Sequence, residues 1–151
     1  MGSTGDTLAS PTFATRKYLQ IRFSIVPSGQ VSPLLRFNAD SGANYAQSYS
    51  SNFAAAVTGG SATGCNVMLS STTAARTHGV IDLVNVASLV KVGRISSADN
   101  QGTSSAADVP IAWDSAIKWV NTANAITTVT LNNGGTGDYL AGSELIILGH
   151  D

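Results

Sequence analysis

The sequence predicts an all-β domain, an antiparallel sandwich or barrel. Three observations carry this. Leu19, Ile21, Phe23 and Ile25 alternate with Gln20, Arg22 and Ser24, the period of a strand with one buried face. About eight short β-rich runs follow one another with Gly, Asn, Ser or Pro between them. No stretch sustains an unambiguous helical period, and no internal repeat is visible.

Residues 1–17 have no period and are dominated by Gly, Ser, Thr and Pro, so they read as an extended N-terminal arm ahead of a domain over 18–151. Leu8, Phe13, Arg16 and Lys17 are its candidate docking residues on a neighbouring subunit. Tyr18 to Val26 is the clearest strand, closed by the turn Pro27-Ser28-Gly29. Val31 to Phe37 is the next, with Pro33 placing its start at an edge or bulge. There Leu35 and Phe37 share one face and Arg36 takes the other.

The strand runs into a polar corner. Asn38, Asp40, Ser41, Gly42 and Asn44 bend backbone locally through short polar side chains or tolerance of positive φ. Arg36 is placed to pair with Asp40 across this turn. Residues 43–56 read two ways: Tyr45, Tyr49 and Phe53 share a helical face, whereas Tyr45, Gln47 and Tyr49 share a strand face. The glycine-rich run 58–64 reads as a loop.

Cys65 to Ser70 reads as a strand. Val80 to Ile95 is one long strand or two broken near Asn85 to Ser88. Residues 96–108 form a polar loop of a length that usually has a function or is disordered. Val109 to Val120 holds Trp113, Ile117 and Trp119, with Trp119 a principal core residue. Ile126 to Leu131 and Glu144 to Leu148 are the last strands, and Asn133-Gly134 supplies a hairpin tip between them. Gly142-Ser143 marks a bulge or close backbone approach.

The chain has 151 residues and 15.4 kDa, so one domain with an independent core is expected. Only 11% of residues are charged, less than half the roughly 25% of an average domain. The surface must then be largely Ser, Thr, Asn, Gly and Ala, which suits it to being covered by neighbours. A net charge of −1 with scattered Lys and Arg argues against nucleic acid, which requires many cations to displace counterions. No basic amphipathic helix points to a membrane surface. The lone Cys65 reads as a buried thiol. The absence of a basic and apolar leader pattern leads us to expect synthesis in a cytoplasm without export.

Catalytic and metal signatures find no support. His78 and His150 are far apart and read as surface or turn histidines. Asn38 to Gly42 is similar to the start of a calcium loop, but Tyr49 stands where the closing Glu is needed. Gly134-Gly135-Thr136-Gly137 lacks the Gly-Lys-(Ser/Thr) of a phosphate loop, and no Gly-x-Ser-x-Gly elbow occurs. Neither catalytic residues, a metal nor a cofactor is expected. Tyr45, Tyr49, Trp113 and Trp119 could stack on a sugar, but rings in a small β-domain more often form the core.

Arg36-Phe37-Asn38-Ala39-Asp40-Ser41-Gly42-Ala43-Asn44-Tyr45 resembles an Arg-Phe-Asn-Gly-Asp-(Ser/Thr)-Gly-x-Asn-Tyr element of small virion proteins of tailed bacteriophages. Trp119 to Ala123, Ala125 to Leu131 and Tyr139 to Gly149 are similar to the closing hairpin of that group. The group usually has Gly at the position of Ala39 and an aromatic near Leu148. The resemblance implies a strand after Asn44 and narrows the fold to a jelly-roll-like sandwich. It further implies a non-enzymatic capsid decoration (cement) protein, a homo-trimer seated on the major capsid protein at the virion's outer surface. Arg36, Asn38, Asp40, Gly42 and Asn44 would then hold a structural corner. The alternative is a receptor- or glycan-binding module of a head fibre or tail, with residues 96–108 and 132–137 as its ligand surface.

Overall fold

The computed structural model describes residues 5–54, 57–68, 75–101, 105–107 and 109–151. Among these there are strands and no helix. The strands are β1 (Thr7–Ala9), β2 (Tyr18–Ile25), β3 (Pro33–Phe37), β4 (Tyr45–Ser51), β5 (Val57–Ala62), β6 (Cys65–Asn66), β7 (Thr77–Val84), β8 (Lys91–Asp99), β9 (Ile111–Trp119), β10 (Val129–Asn133) and β11 (Glu144–His150). They form two antiparallel sheets. The smaller has the order β1-β10-β3-β6, the larger β11-β2-β7-β8-β9-β4-β5.

The alternation read from the sequence builds the core between the sheets. In β2, Leu19, Ile21, Phe23 and Ile25 are all buried, while Arg22 is exposed. In β3, Leu35 and Phe37 face inward and Arg36 does not. Trp119, Tyr45, Tyr139, Phe23 and Phe37 are the bulkiest fully buried side chains. Each large apolar side chain so buried contributes about 1.5–3 kcal/mol. Gly79 of β7 lies beneath the Phe23 ring, and a Cβ there would collide with the ring and with Ser97. Glycine at that site lets Phe23 fold flat over the sheet.

Several elements differ from expectation. Residues 80–95 divide into β7 and β8, with the break at 85–90 and β8 continuing through Asp99, into the expected loop. Residues 58–64 are not wholly a loop, because β4 templates β5 alongside it. The strand after Cys65 leaves the ladder after Asn66; residues 69–74 lie outside the described residues, as do 102–104 and 108 of the expected loop. The stretch 43–56 contains β4, a strand rather than a helix.

The last two strands do not form a hairpin. β10 pairs with β3 and β1 in the small sheet, whereas β11 pairs with β2 in the large one. The glycine segment between them is folded against the chain rather than projecting. Gly134 N donates to Ser32 O (3.1 Å) and Gly137 N to Gln30 O (2.7 Å). Asn133 pins it further, accepting from Ser32 N at 2.9 Å and Gly135 N at 2.8 Å.

The expected arm lies on its own domain over residues 5–17. β1 adds to β10, and Leu8 is buried in the chain's own core. Phe13 N donates to Thr127 O (2.9 Å), and the Phe13 ring packs on the same core. The buried Asn85 donates from Nδ2 to Arg16 O (3.1 Å) and from its backbone N to Lys17 O (2.7 Å). Arg16 and Lys17 N both reach Asp151, at 2.8 and 3.2 Å. Leu8 is therefore not an outward anchor: its apolar surface is satisfied in cis.

Candidate functional site

The polar corner between β3 and β4 brings together Asn38, Asp40, Gly42 and Asn44, each engaged in hydrogen bonds. It begins as a tight turn. Asn38 and Ala39 both have positive φ, 51° and 56°, and Asp40 N donates to Phe37 O at 2.9 Å. Two successive positive φ values at the centre of a four-residue turn are the type I′ signature. Asn38 tolerates that conformation and also acts as a staple. Its Nδ2 donates to Ala125 O (2.8 Å), and its Oδ1 accepts from Thr127 N (2.8 Å) and Thr128 N (3.1 Å).

Asp40 organises the rest. One carboxylate oxygen accepts from Gly42 N at 2.8 Å and the other from Trp119 Nε1 at 2.7 Å. Asn44 Nδ2 reaches both oxygens, at 3.2 and 3.0 Å. Burial alone would raise the Asp40 pKa, but the hydrogen bonds from Trp119, Gly42 and Asn44 and the nearby charge of Arg36 outweigh it and hold the value below the usual 3.8. The expected Arg36–Asp40 bond does not form. The Arg36 guanidinium donates instead from Nε to Thr63 O, at 2.9 Å, and acts on Asp40 only through its field.

Tyr45 closes the corner from below. Its buried hydroxyl accepts from Phe37 N (2.9 Å) and donates to Asp40 O (3.2 Å). Phe37, Tyr45 and Trp119 form an aromatic trio with centroids 5.6–6.3 Å apart. Lys91, which the sequence did not single out, is buried beside Trp119. Its ammonium lies 5.4 Å from the indole centroid and donates to Ala87 O (3.1 Å) and Asn121 O (2.6 Å). Burial lowers its pKa.

The polar groups of this arrangement bond chiefly to one another. The Asp40 oxygens face N–H donors, which repel a cation, and no group of three or more His, Cys, Asp or Glu gathers among the described residues. The ring candidates for sugar stacking are occupied. Tyr45, Trp113 and Trp119 are buried, and Tyr49 stacks on Trp113 at 4.2 Å. His78 and His150 lie exposed on β7 and β11, and Cys65 is fully buried.

The large sheet turns one face away from the core. Its centre carries Ser48, Ser96, Ala98 and Ala116. Arg94 pairs with Asp114 there at 3.1 Å, Gln20 bonds Asp82 at 3.0 Å and Arg22 bonds Gln20 at 3.0 Å, while Lys118 and Glu144 carry further charges on the same face. Toward β11 an open cleft of about 540 Å³ is lined by Tyr18, Val84, Val92 and Leu148. A second apolar group, Phe53 and Val109, stands 83% and 74% exposed at the far end of the sandwich. Phe53 holds a positive φ of 60° there. No family model, curated protein or solved structure matches the chain.

Proposed function

We propose that the protein is a non-enzymatic structural protein of a tailed-phage virion, a decoration protein that seats on the major capsid protein and stabilises the capsid. The observation that carries this reading is the outer face of the seven-stranded sheet. It is seven strands broad, its charges sum to zero (Arg22, Arg94 and Lys118 against Asp82, Asp114 and Glu144), and Ser, Ala and Val stand between them, which suits a wide contact with a partner of mixed charge. The resemblance of residues 36–45 to virion proteins supports the same reading, and a jelly-roll-like sandwich and a threefold unit belong to it. The corner's role is to hold two sheets in a fixed relation under load. Its polar groups are committed to one another rather than presented to a substrate.

The test is co-sedimentation of the purified protein with capsids stripped of it, alongside intact host cells. Removing residues 1–17 would take Leu8 out of the core, so the informative variant is Ala116→Glu, which places a charge in the middle of the outer face. Saturable capsid binding weakened by Ala116→Glu, with unchanged thermal stability, is the expected result. Binding to cells and not to capsids would overturn the reading and move the function to adsorption.

A further inference from the structure

Two sheets have four edges, and three of them are blunted. β1 has three residues and β6 has two. β5 carries Gly59-Gly60, and its register against β4 shifts between Tyr45 and Gln47. The fourth edge, β11, is different. It is seven residues long and pairs with β2 without interruption from Glu144 to His150. It contains no proline, lysine or bulge, the usual devices that keep an edge from pairing. Among the described residues, no backbone group outside β2 bonds to it.

The side chains of β11 are self-complementary. Glu144, Ile146, Leu148 and His150 alternate onto the outer face, with Ile146 and Leu148 43% and 46% exposed. Leu145 and Ile147 are half-buried against the core. Suppose a second β11 lies antiparallel to the first about a two-fold axis through Ile147. Ile147 then faces its own copy, Ile146 faces Leu148, and Glu144 faces His150 at both ends. This register overlaps all seven residues. Outward residues face outward residues, as an antiparallel ladder requires. It also sets an acid opposite a base twice and an apolar pair opposite an apolar pair twice. Sliding by two residues loses both Glu–His pairs.

We infer that β11 is a homotypic interface: a second copy of this chain adds to the edge with Ile147 on the two-fold axis, joining two seven-stranded sheets into one. The contact is isologous and closes on itself, so it uses one edge per chain. It does not depend on the capsid reading. Within that reading, it would link one threefold unit to the next rather than build the unit.

The experiment is oxidative cross-linking of the full chain. Ile146→Cys and Leu148→Cys are prepared separately, each at an exposed site, and the native Cys65 is buried and stays out of the reaction. In the inferred register residues 146 and 148 of opposite copies are direct partners. Like residues are diagonal, beyond the roughly 7 Å Cα separation a disulfide tolerates. Mild oxidation should therefore give a disulfide-linked dimer from the mixture and several-fold less from either variant alone. Glu144→Lys should weaken sedimenting self-association, and Glu144→Lys with His150→Glu should restore it. No cross-link in the mixture would overturn the inference. Equal cross-linking by the single variants, or linkage to a capsid protein and not to a second copy, would overturn it as well.

Discussion

Trp119 donates its indole N–H to the Asp40 carboxylate at 2.7 Å, tying the end of β9 to the turn that leaves β3. Trp119 is buried, so truncating the half-buried Asp40 takes the charged acceptor away from its indole N–H. Asp40→Ala should cost about 2 kcal/mol or more, read from urea denaturation, because a buried donor to a charged acceptor loses its partner. Asp40→Asn keeps an acceptor and should cost less. An Asp40→Ala protein as stable as the parent would show that the bond has no energetic weight.

The same carboxylate sets part of the acid response. Its folded pKa lies below the ordinary 3.8, so the fold favours the ionised form. That contribution is complete above about pH 4 and is lost as pH falls through the folded value. Asp151 acts in the same direction through hydrogen bonds from Arg16 and Lys17. The stability of Asp40→Asn should therefore fall less steeply below pH 4 than that of the parent, without becoming flat. Superimposable acid limbs in the two proteins would exclude Asp40 as a contributor.

Ala39 sits at φ 56°, where its Cβ crowds the backbone. An L-residue in this region costs roughly 1–2 kcal/mol, and Gly escapes that cost while losing some chain entropy. Ala39→Gly should stabilise the protein by about 1 kcal/mol, seen as a higher urea midpoint with an unchanged slope. A lower midpoint would mean that the unfolded chain's added freedom wins.

The half-buried strands were legible because period two is written in single side chains: Leu19, Ile21, Phe23 and Ile25 reveal β2 without any knowledge of its partners. β5 was not legible, because Gly59 and Gly60 carry no apolar pattern and extend only where β4 supplies a ladder. β1 is too short to show a period. β10 and β11 are consecutive in sequence but lie in different sheets, because residues 134–143 carry the chain from one to the other, and nothing local in that segment marks the crossing. The corner residues Asn38, Asp40, Gly42 and Asn44 could be identified by their turn chemistry. Their anchors, Thr127, Ala125 and Trp119, lie 79 or more residues away and leave no local signal.

Leu8 tests whether the first strand belongs to the domain. It is 5% exposed and lies in the shared core. Leu8→Ala should destabilise the isolated protein by about 2–4 kcal/mol, the cost of removing a buried leucine and leaving a cavity. A segment that docked only on a neighbour would leave the isolated chain's urea midpoint unchanged.

Cys65 provides the last check, on the alkaline side. Burial pushes its thiol up to about 12, although a backbone hydrogen bond involving Lys118 pulls the other way. The folded state therefore holds the proton more tightly than the unfolded chain, whose thiol ionises near its ordinary 9.0. Stability should begin to fall as pH rises past about 9, with Tyr45 and Tyr139 adding to the loss at higher pH because burial raises their pKa values too. At pH 8 a thiol reagent should leave the native protein unlabelled and modify it rapidly in denaturing urea, since the thiolate is the reactive form. Fast labelling of the native protein would mean that the small sheet opens at β6.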